Sequence, residues 1–417
     1  MLRLVVFHVS WFKLYTSVDM EKWQEKTICI LGRQPALGLA ELESLYGSQH
    51  VRSLPGAALL DIVAGDINFK RLGGSIKVAQ ILAVIPGGNW PETKKYLLEE
   101  VPKHLQNATP GKFTLGLSFY GFSTPPNEIN KLALGIKKAA KRSMRVVPNK
   151  TAELNSAQVL HNKLTTKGAW ELLLVRDGSR TILAQTFFVQ DIEAYGARDQ
   201  ARPKRDARVG MLPPKLAQIM INLAAGDLDS QTENKAKIRV LDPFCGTGVI
   251  LQEALLMGYS VLGSDIEPRL VKYSEENIKW LVEKQPNIEG GVVLETAGAT
   301  TANWPPFSTL ASEVYLGRPL GALPAQAKLN EIVQDVNTII RKFLKNLEPQ
   351  LKSGRTICLA LPAWKLPGGK FKHLPVLDHL TDMGYNYMDL KHVRREQLMY
   401  YREDQVVARQ LIRISKR

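Results

Sequence analysis

A strand–turn–helix near the middle of the chain constrains its fold and chemistry more than any other feature. An apolar run ends on Asp242, and a turn containing Gly246 and Gly248 leads into an apolar-periodic helix. A second strand-like run then ends on another carboxylate, Asp265. The turn lies at a helix N-terminus, where free backbone N–H groups face outward and glycines let a ligand approach closely. The pattern predicts a doubly wound α/β sheet that binds a nucleoside-bearing cofactor.

The two carboxylates indicate which nucleoside cofactor this turn suits. Asp265 follows the first turn by about 20 residues, where a doubly wound sheet can hydrogen-bond ribose hydroxyls. Asp242 opens the turn and would repel a pyrophosphate, so the dinucleotide pattern G-x-G-x-x-G is not met. An acid there suits an ammonium or sulfonium group, which favours S-adenosylmethionine over NAD. An ordinary strand–turn–helix would account for the glycines but not for carboxylates at both strand ends.

These motifs carry a resemblance to a known family. Residues 242–248, followed by Gly263-Ser264-Asp265-Ile266, resemble the class I methyltransferases that modify exocyclic amines of nucleic acids. Within that class the chain resembles the THUMP-domain tRNA guanine-N2 methyltransferase family, which modifies position 10 of tRNA. Three flanking stretches resemble that family's opening strand and helix, its catalytic-domain entry helix and its last hairpin, namely 31–43, 210–224 and 401–409.

The resemblance implies a set of cofactor-binding residues. Asp242 would face the methionine ammonium, Asp265 would bind the ribose hydroxyls, and Ile266 would pack against the adenine. The implied cofactor is S-adenosyl-L-methionine, and no metal is implied. The full cofactor-binding set carried over from the family is Asp242, Phe244, Gly246, Gly248, Asp265, Ile266 and Ala299.

The chain departs from the family pattern at two places. Gly298 stands where the family has an aspartate for the adenine amino group. Where the family has Asp-Pro-Pro-Tyr, this chain has Glu313, Val314, Tyr315 and Leu316. The candidate catalytic residues are therefore Glu313, as the acid, and Tyr315, as a shifted stacking aromatic. Three readings stay open: the same reaction with altered geometry, a different target base, or a tRNA-binding protein without turnover.

The expected function is methyl transfer to an exocyclic amine, most specifically guanine N2 in tRNA. The alternatives are a non-catalytic tRNA-binding paralogue and a DNA amino-methyltransferase, since the latter shares both motifs. A net charge of +15 suits a phosphate-rich partner, and the implied partner is tRNA, with a small activating subunit required in some relatives. Three scattered cysteines fit a reducing cytoplasm. No apolar run approaches the roughly 20 residues that span a bilayer.

The expected organisation is a small α/β N-terminal region with a THUMP-like RNA-binding module, followed by a Rossmann-like class I methyltransferase domain. The first segment is expected to be disordered or to precede a true start at Met20. The predicted segments are an extension, 1–26; an α/β module, 27–100; the THUMP-like module, 101–190; a basic linker, 191–209; and the methyltransferase domain, 210–417.

Basic residues concentrate on one predicted helix, 128–144, and on the linker. Several on the helix are spaced three or four apart and so share a face. A single sign of charge favours phosphate contact, although a solvated surface is the alternative. The candidate nucleic-acid contacts are Lys137, Lys138, Lys141, Arg142, Arg145, Arg202 and Arg205.

Hydrophobic periodicity predicts the remaining elements. In the N-terminal module, 76–84 is predicted as a helix. In the methyltransferase domain, the predicted strands are 291–294, 310–314, 356–361 and 406–414, and the predicted helices are 270–282, 329–347 and 374–383.

Overall fold

The computed structural model describes residues 25–108, 110–206, 212–229 and 234–417 of the 417-residue chain. Nearly all of the expected 1–26 extension and the end of the basic linker lie outside the described residues. The chain divides into two units. The described part of the first unit comprises 25–32, 49–70, 75–108 and 110–193, and that of the second comprises 33–48, 71–74, 194–206, 212–229 and 234–417.

The first unit is built around one eight-stranded sheet among its described residues, in the order β2-β3-β1-β4-β8-β7-β5-β6. The pairs of β5 with β6 and with β7 are parallel, and the other pairs are antiparallel. The strands are β1 (Thr27–Leu31), β2 (Val51–Leu54), β3 (Ala57–Leu60), β4 (Ser75–Pro86), β5 (Phe113–Tyr120), β6 (Met144–Val146), β7 (Ala169–Asp177) and β8 (Arg180–Val189). The predicted segments 27–100 and 101–190 thus contribute strands to the same sheet.

Two helices in this half of the chain, α2 (Trp90–Gln106) and α3 (Pro126–Ala140), are amphipathic. In α3, apolar residues at helical spacing, such as Ile129, Leu132 and Ile136, are buried in the core over the sheet. This helix ends at Ala140 because Lys141 adopts a left-handed conformation with φ of 49°, and β6 follows at once. The predicted helix 128–144 was therefore too long at its C-terminus. The helices are α1 (Pro35–Tyr46, in the second unit), α2 (Trp90–Gln106), α3 (Pro126–Ala140) and α4 (Ser156–His161).

The helix predicted over 76–84 is wrong, because this segment is the core of β4. Two register shifts interrupt its pairing with β8, one between Val78 and Ala79 and one between Ile81 and Ala83. Each irregularity changes which face the following side chains occupy. The period-two pattern of a strand is thereby broken, and the remaining apolar spacing resembles that of a helix.

The second unit contains a sheet in the order β11-β10-β9-β12-β13-β17-β15, with β14 paired to β13 and β16 to β17. The strands from β9 to β13 are parallel, and β17 runs antiparallel to β13. The strands are β9 (Arg239–Asp242), β10 (Ser260–Asp265), β11 (Val292–Thr296), β12 (Thr309–Glu313), β13 (Thr356–Lys365), β14 (Phe371–Lys372), β15 (Tyr385–Tyr387), β16 (Met399–Tyr400) and β17 (Val407–Lys416). This is the doubly wound arrangement predicted from the sequence.

The helices that follow α4 along the chain are α5 (Ile192–Gln200), α6 (Pro214–Asp229), α7 (Val249–Leu256), α8 (Pro268–Lys284) and α9 (Gln326–Leu347). The helix predicted over 374–383 is wrong, since only a 3-10 turn, Pro375–His379, forms there. The amide of Tyr385 bonds back to the carbonyl of Leu380, so the chain turns into β15 before a longer helix can develop. Among the residues that the structure describes, no helix is both long and apolar enough to cross a membrane.

A segment from early in the chain is built into the second unit. Helix α1 packs on α6, and Glu41 on α1 accepts hydrogen bonds from the backbone amides of Gly73 and Gly74 at 2.9 and 2.8 Å. The side-chain amide of Asn222 on α6 donates to the same carboxyl group at 2.7 Å. Burial raises the pKa of Glu41 to about 7 against the effect of these donors. The three bonds fasten 33–48 and 71–74 to the helix that leads into the sheet.

Candidate active site

Three carboxylates end neighbouring strands at one edge of the second sheet. Asp242 is the last residue of β9, Asp265 of β10 and Glu313 of β12. These strands are parallel and adjacent, so their carboxyl ends meet at the same edge. Ligands of doubly wound folds bind in the crevice outside this edge. The sequence prediction that these residues form one site therefore has its geometric basis in the sheet.

The turn after β9 is shaped by two glycines with positive φ. Gly246 has φ of 53° and Gly248 has φ of 83°. A Cβ on Gly248 would lie 2.9 Å from Oγ and 3.2 Å from Cβ of Ser274, so no larger residue fits without displacement. At Gly246 the nearest atom to such a Cβ would be the carbonyl oxygen of Phe244 at 3.9 Å. The turn is thus packed closely on α8 and open on the side where a ligand could lie.

Asp242 is a buried carboxyl group in an acidic neighbourhood. It accepts hydrogen bonds from the hydroxyl of Ser312 at 2.6 Å and from the amide of Phe244 at 3.3 Å. Burial raises its pKa to about 7, and the nearby charges of Asp265 and Glu313 act in the same direction. A bound cation would relieve both the burial cost and this repulsion.

Asp265 is held by the backbone on both sides of its strand end. Its Oδ2 accepts from the amide of Gly246 at 3.0 Å, and its Oδ1 accepts from the amide of Glu267 at 3.0 Å. Burial raises the pKa of this carboxyl group above its usual value. Each oxygen has a further lone pair for a ligand hydroxyl. The next side chain, Ile266, is 77% exposed, which leaves an apolar surface beside the carboxylate.

The other predicted cofactor residues lie around the same edge with less direct roles. A Cβ on Gly298 would lie 3.4 Å from Cδ1 of Ile266, so these two residues are in contact range. The carbonyl of Ala299 accepts a hydrogen bond from the side-chain amide of Asn346 at 3.1 Å. The ring of Phe244 packs edge-on against Phe343, with centroids 5.1 Å apart, and so joins the turn to the core.

The candidate catalytic acid has a partner that the sequence did not suggest. A carboxylate oxygen of Glu313, Oε1, accepts a short hydrogen bond from Nε of Arg409 on β17. The side chains of Arg409 and Glu313 are only 7% and 14% exposed. Tyr315 is 41% exposed at the end of the same segment, whereas Val314 between them is buried. The structure therefore offers an acid held in place and an aromatic free to contact a ligand.

The basic residues predicted on α3 and just after it differ in their availability. Lys137, Lys138 and Lys141 are exposed. Arg145 is exposed and donates to the side chain of Asn162 at 2.9 Å. Arg142 instead donates to the carbonyls of Leu105 and Gly111 and lies over the ring of Phe113. The guanidinium of Arg142 is therefore already bonded to its own loop, whereas the three lysines and Arg145 are exposed; the predicted phosphate contact of Arg142 stays a prediction.

The predicted linker 191–209 is largely structured and only partly available. It begins as α5, and Arg202 beyond it is 3% exposed, so the prediction that Arg202 contacts nucleic acid is not supported by this conformation. Arg205 is exposed. The backbone of Lys204 exchanges two hydrogen bonds, both of 2.9 Å, with the side chain of Asn277. Asn277 also donates to the carbonyl of Thr247, so this segment braces the glycine turn.

Three residues that support the site were missed in the sequence. Ser312 donates a hydrogen bond to Asp242, and Arg409 donates one to Glu313. Asn277 connects the glycine turn after β9 to the backbone of Lys204. Ser312 directly precedes Glu313 at the end of a predicted strand, so its position was a usable signal. Arg409 ends the hairpin stretch 401–409, but neither it nor Asn277 shows its partner in the sequence, because the partners are distant along the chain.

Comparisons with known proteins identify relatives of this chain. The chain is 31% identical to the tRNA (guanine(10)-N2)-dimethyltransferase of Methanothermobacter thermautotrophicus over 209 residues, covering 48% of this chain and 53% of the relative. It is 28% identical to the protein of that name from Methanocaldococcus jannaschii over 188 residues, covering 40% and 49%. The chain spans about half the length of these curated relatives. No protein-family model matches it.

One solved structure supports the fold over nearly the whole chain. TrmN from Thermus thermophilus superposes with a TM-score of 0.51 at 14% identity, covering 94% of this chain and 99% of that one. The mixed α/β fold predicted from the sequence, with a doubly wound sheet in the second unit, is thereby confirmed. The predicted resemblance is also confirmed: the chain is similar, over about half of their length, to tRNA (guanine(10)-N2)-dimethyltransferases.

Proposed function

We propose that the protein is an S-adenosylmethionine-dependent RNA methyltransferase that acts on guanine N2 in tRNA. One observation carries the proposal, namely the cluster of Asp242, Asp265 and Glu313 at the carboxyl edge of a parallel sheet. The choice of guanine N2 in tRNA as the target is supported by the names of two relatives, both tRNA (guanine(10)-N2)-dimethyltransferases. The proposed location is the cytoplasm, which is supported by three buried cysteines that form no disulfide.

The residues at this edge suit the proposed cofactor. Asp242, buried and close to two other acids, would bind the positively charged methionine end. Asp265 keeps a free acceptor on each oxygen for the two ribose hydroxyls, and Ile266 offers its exposed apolar side chain to the adenine. The open face over Gly246 leaves room for the ligand. A side-chain acceptor for the adenine amino group is absent at Gly298, so backbone groups would take that role.

The proposed reaction needs orientation of the target amine more than acid–base strength. When bound, S-adenosylmethionine supplies a methyl group that the guanine N2 attacks, while the electron pair of the broken bond remains on sulfur. Glu313 would accept a hydrogen bond from guanine N2 and so orient the lone pair of N2 towards the methyl carbon. The carboxylate would also stabilise the positive charge that develops on N2 as the new bond forms. The proton that N2 loses passes to this carboxylate or to water. Tyr315 would stack on the base.

We further infer that exposed basic residues in each unit contact the RNA backbone. In the first unit these are Lys137, Lys138, Lys141 and Arg145, which are close in sequence and carry one sign of charge. In the second unit Arg205 is exposed next to the segment that braces the glycine turn. Contacts of this kind position a nucleic acid without reading its sequence. The proposed RNA-binding role of the THUMP-like module, 101–190, rests on these four basic residues.

Cofactor affinity should depend on pH through Asp242. Its pKa of about 7 means that the acid is largely protonated at lower pH and binds a cation poorly. Between about pH 6 and pH 7.5 the ionised fraction rises about eightfold, so the affinity for S-adenosylhomocysteine, measured by calorimetry, should rise by a similar factor. In Asp242→Asn the affinity should be lower and nearly independent of pH over this range. An unchanged slope in that variant would contradict the role of Asp242.

The proposed activity is tested by methyl transfer to bulk tRNA, followed by mass spectrometry of the nucleosides. The wild type should produce N2-methylated guanosine, and Asp242→Ala should not. Duplex DNA serves as the competing substrate, and methylation of DNA but not tRNA would overturn the substrate assignment.

A second candidate, a tRNA-binding protein without turnover, is favoured by one observation, the ion pair that occupies Oε1 of Glu313. Binding of tRNA and S-adenosylhomocysteine by a wild type that transfers no methyl group would support it.

A further inference from the structure

The acid at the end of β12 is one methylene longer than the aspartate of the resembling family, and it is paired with an arginine. Glu313 lies opposite Ala360 on β13, and Arg409 lies opposite Pro362 on the same strand. Strand β13 thus separates the two residues in the sheet and sets their spacing. The pair is therefore a product of sheet register, fixed by the backbone of three strands.

The burial of the pair makes its geometry more restrictive than that of a surface ion pair. Both side chains are largely removed from solvent, at 7% and 14% exposure. A carboxylate so placed without a cation would be strongly destabilised. The guanidinium carbon of Arg409 also lies 5.9 Å from the ring centroid of Tyr400, which faces it across the β16–β17 pair. These contacts limit the positions that the guanidinium can take.

The two carboxylate oxygens of Glu313 have different surroundings. Nε of Arg409 donates to Oε1, whereas Oε2 has no hydrogen-bond partner among the described residues. Because the backbone of Glu313 is held in β12, fixing Oε1 at Arg409 restricts the side-chain torsions and with them the directions that Oε2 can take. A free glutamate at a strand end would instead sample several rotamers. Arg409 thereby removes the extra freedom that comes with the longer side chain.

We infer that Arg409 is a positioning residue that aims Oε2 of Glu313 at the exocyclic amine of the target base. This role rests on the proposed function. The residue acts through Glu313 and contributes no atom to the reaction. In this proposal the arginine and the longer acid together present the hydrogen-bond acceptor that the shorter acid of the resembling family would present.

The test is a double-mutant cycle measured with tRNA as substrate. Arg409→Gln should lower kcat by about tenfold to a hundredfold, the range in which a mispositioned catalytic group reduces the rate. The Kd of S-adenosylhomocysteine and the KM for tRNA should change less than twofold. In the background of Glu313→Gln, the same replacement should have almost no further effect on kcat, because the group that it positions is already disabled. Arg409→Lys should recover part of the rate by restoring the cation.

Two controls show that a lower kcat in the Arg409 variants comes from a mispositioned Glu313. One tests the effect of removing a positive charge nearby, and the other tests whether the variant is folded. Arg402→Gln removes an exposed arginine from the preceding loop and should leave kcat unchanged. Far-ultraviolet circular dichroism and cofactor binding show whether each variant is folded. Additive losses in the cycle, or a loss confined to KM, overturn the positioning role while the proposed function stands. A wild type without transfer to tRNA overturns both.

Discussion

Glu313→Gln should reduce methyl transfer to tRNA by about a hundredfold to a thousandfold, the usual loss when a group that stabilises charge in the transition state is removed. Glutamine keeps the length and one oxygen acceptor but loses the negative charge. In the wild type that charge faces the cationic character that N2 acquires as the bond to the methyl carbon forms. The loss should therefore fall on kcat and leave the KM for tRNA nearly unchanged.

Glu313 needs a matched control because it also pairs with Arg409. Glu331→Gln makes the same chemical change at an exposed residue of α9 that pairs with Lys328. It should leave kcat unchanged. Calorimetry with S-adenosylhomocysteine should show that both variants bind the cofactor product, since neither residue bonds to Asp265 or the glycine turn. A Glu313→Gln variant with wild-type kcat would remove Glu313 from the mechanism and direct attention to backbone carbonyls nearby.

Glu313→Asp distinguishes charge from reach. It restores the acid of the resembling family but withdraws the carboxylate from Arg409 by one methylene. If the position of the carboxylate determines the rate, kcat of Glu313→Asp should lie between those of Glu313→Gln and the wild type. Replacement of Arg409 should then lower kcat less in this variant than in the wild type. If only the charge matters, it should match the wild type.

The sequence predicted the cofactor turn and the strand-end acids because these features are local. A strand, a glycine turn and a helix are encoded within a few residues, and parallel strands bring their carboxyl ends to one edge whatever their loops contain. The same is true of α9, whose apolar spacing predicted a helix over 329–347 and whose observed bounds are Gln326–Leu347. Elements of this kind follow from the pattern of neighbouring residues.

The features that the sequence did not reveal depend on pairing between distant residues. Arg409 lies 96 residues from Glu313, and although it ends the hairpin stretch 401–409, nothing in that stretch shows which acid it pairs with. Arg202 lies in a basic stretch and was predicted as a nucleic-acid contact, yet it is buried. In β4, two shifts in the register with β8 interrupt the alternation of buried and exposed residues that would have predicted a strand. Each of these outcomes is decided by tertiary packing, which local patterns do not encode.

A buried ion pair joins the four adjacent strands β4, β8, β7 and β5 of the first unit. Lys77 on β4 pairs with Glu171 on β7 and donates to the carbonyl of Leu154 at 2.7 Å. Glu171 also accepts from Ser118 on β5 and from Thr186 on β8, each at 2.6 Å. Burial lowers the pKa of Lys77 in spite of its acidic partner. Each charged group is thus satisfied only while all four strands stay in register.

Lys77→Met should lower the free energy of unfolding of the first unit by about 3–5 kcal/mol, because it leaves Glu171 buried without a cation. Urea denaturation followed by tryptophan fluorescence measures this loss, since Trp170 directly precedes Glu171. Lys103→Met removes a lysine from an exposed pair with Glu100 and should leave the midpoint nearly unchanged.

The double variant Lys77→Met with Glu171→Leu shows whether the pair contributes stability or register. Apolar replacements of similar size often restore the stability lost when one partner of a buried pair is removed. We expect recovery of most of the loss in the urea midpoint. If the network also specifies the pairing of β4 with β8, the double variant should show weaker amide protection in these strands at equal stability. If amide protection in β4 and β8 is unchanged, the pair of Lys77 and Glu171 only neutralises two buried charges and does not specify strand pairing.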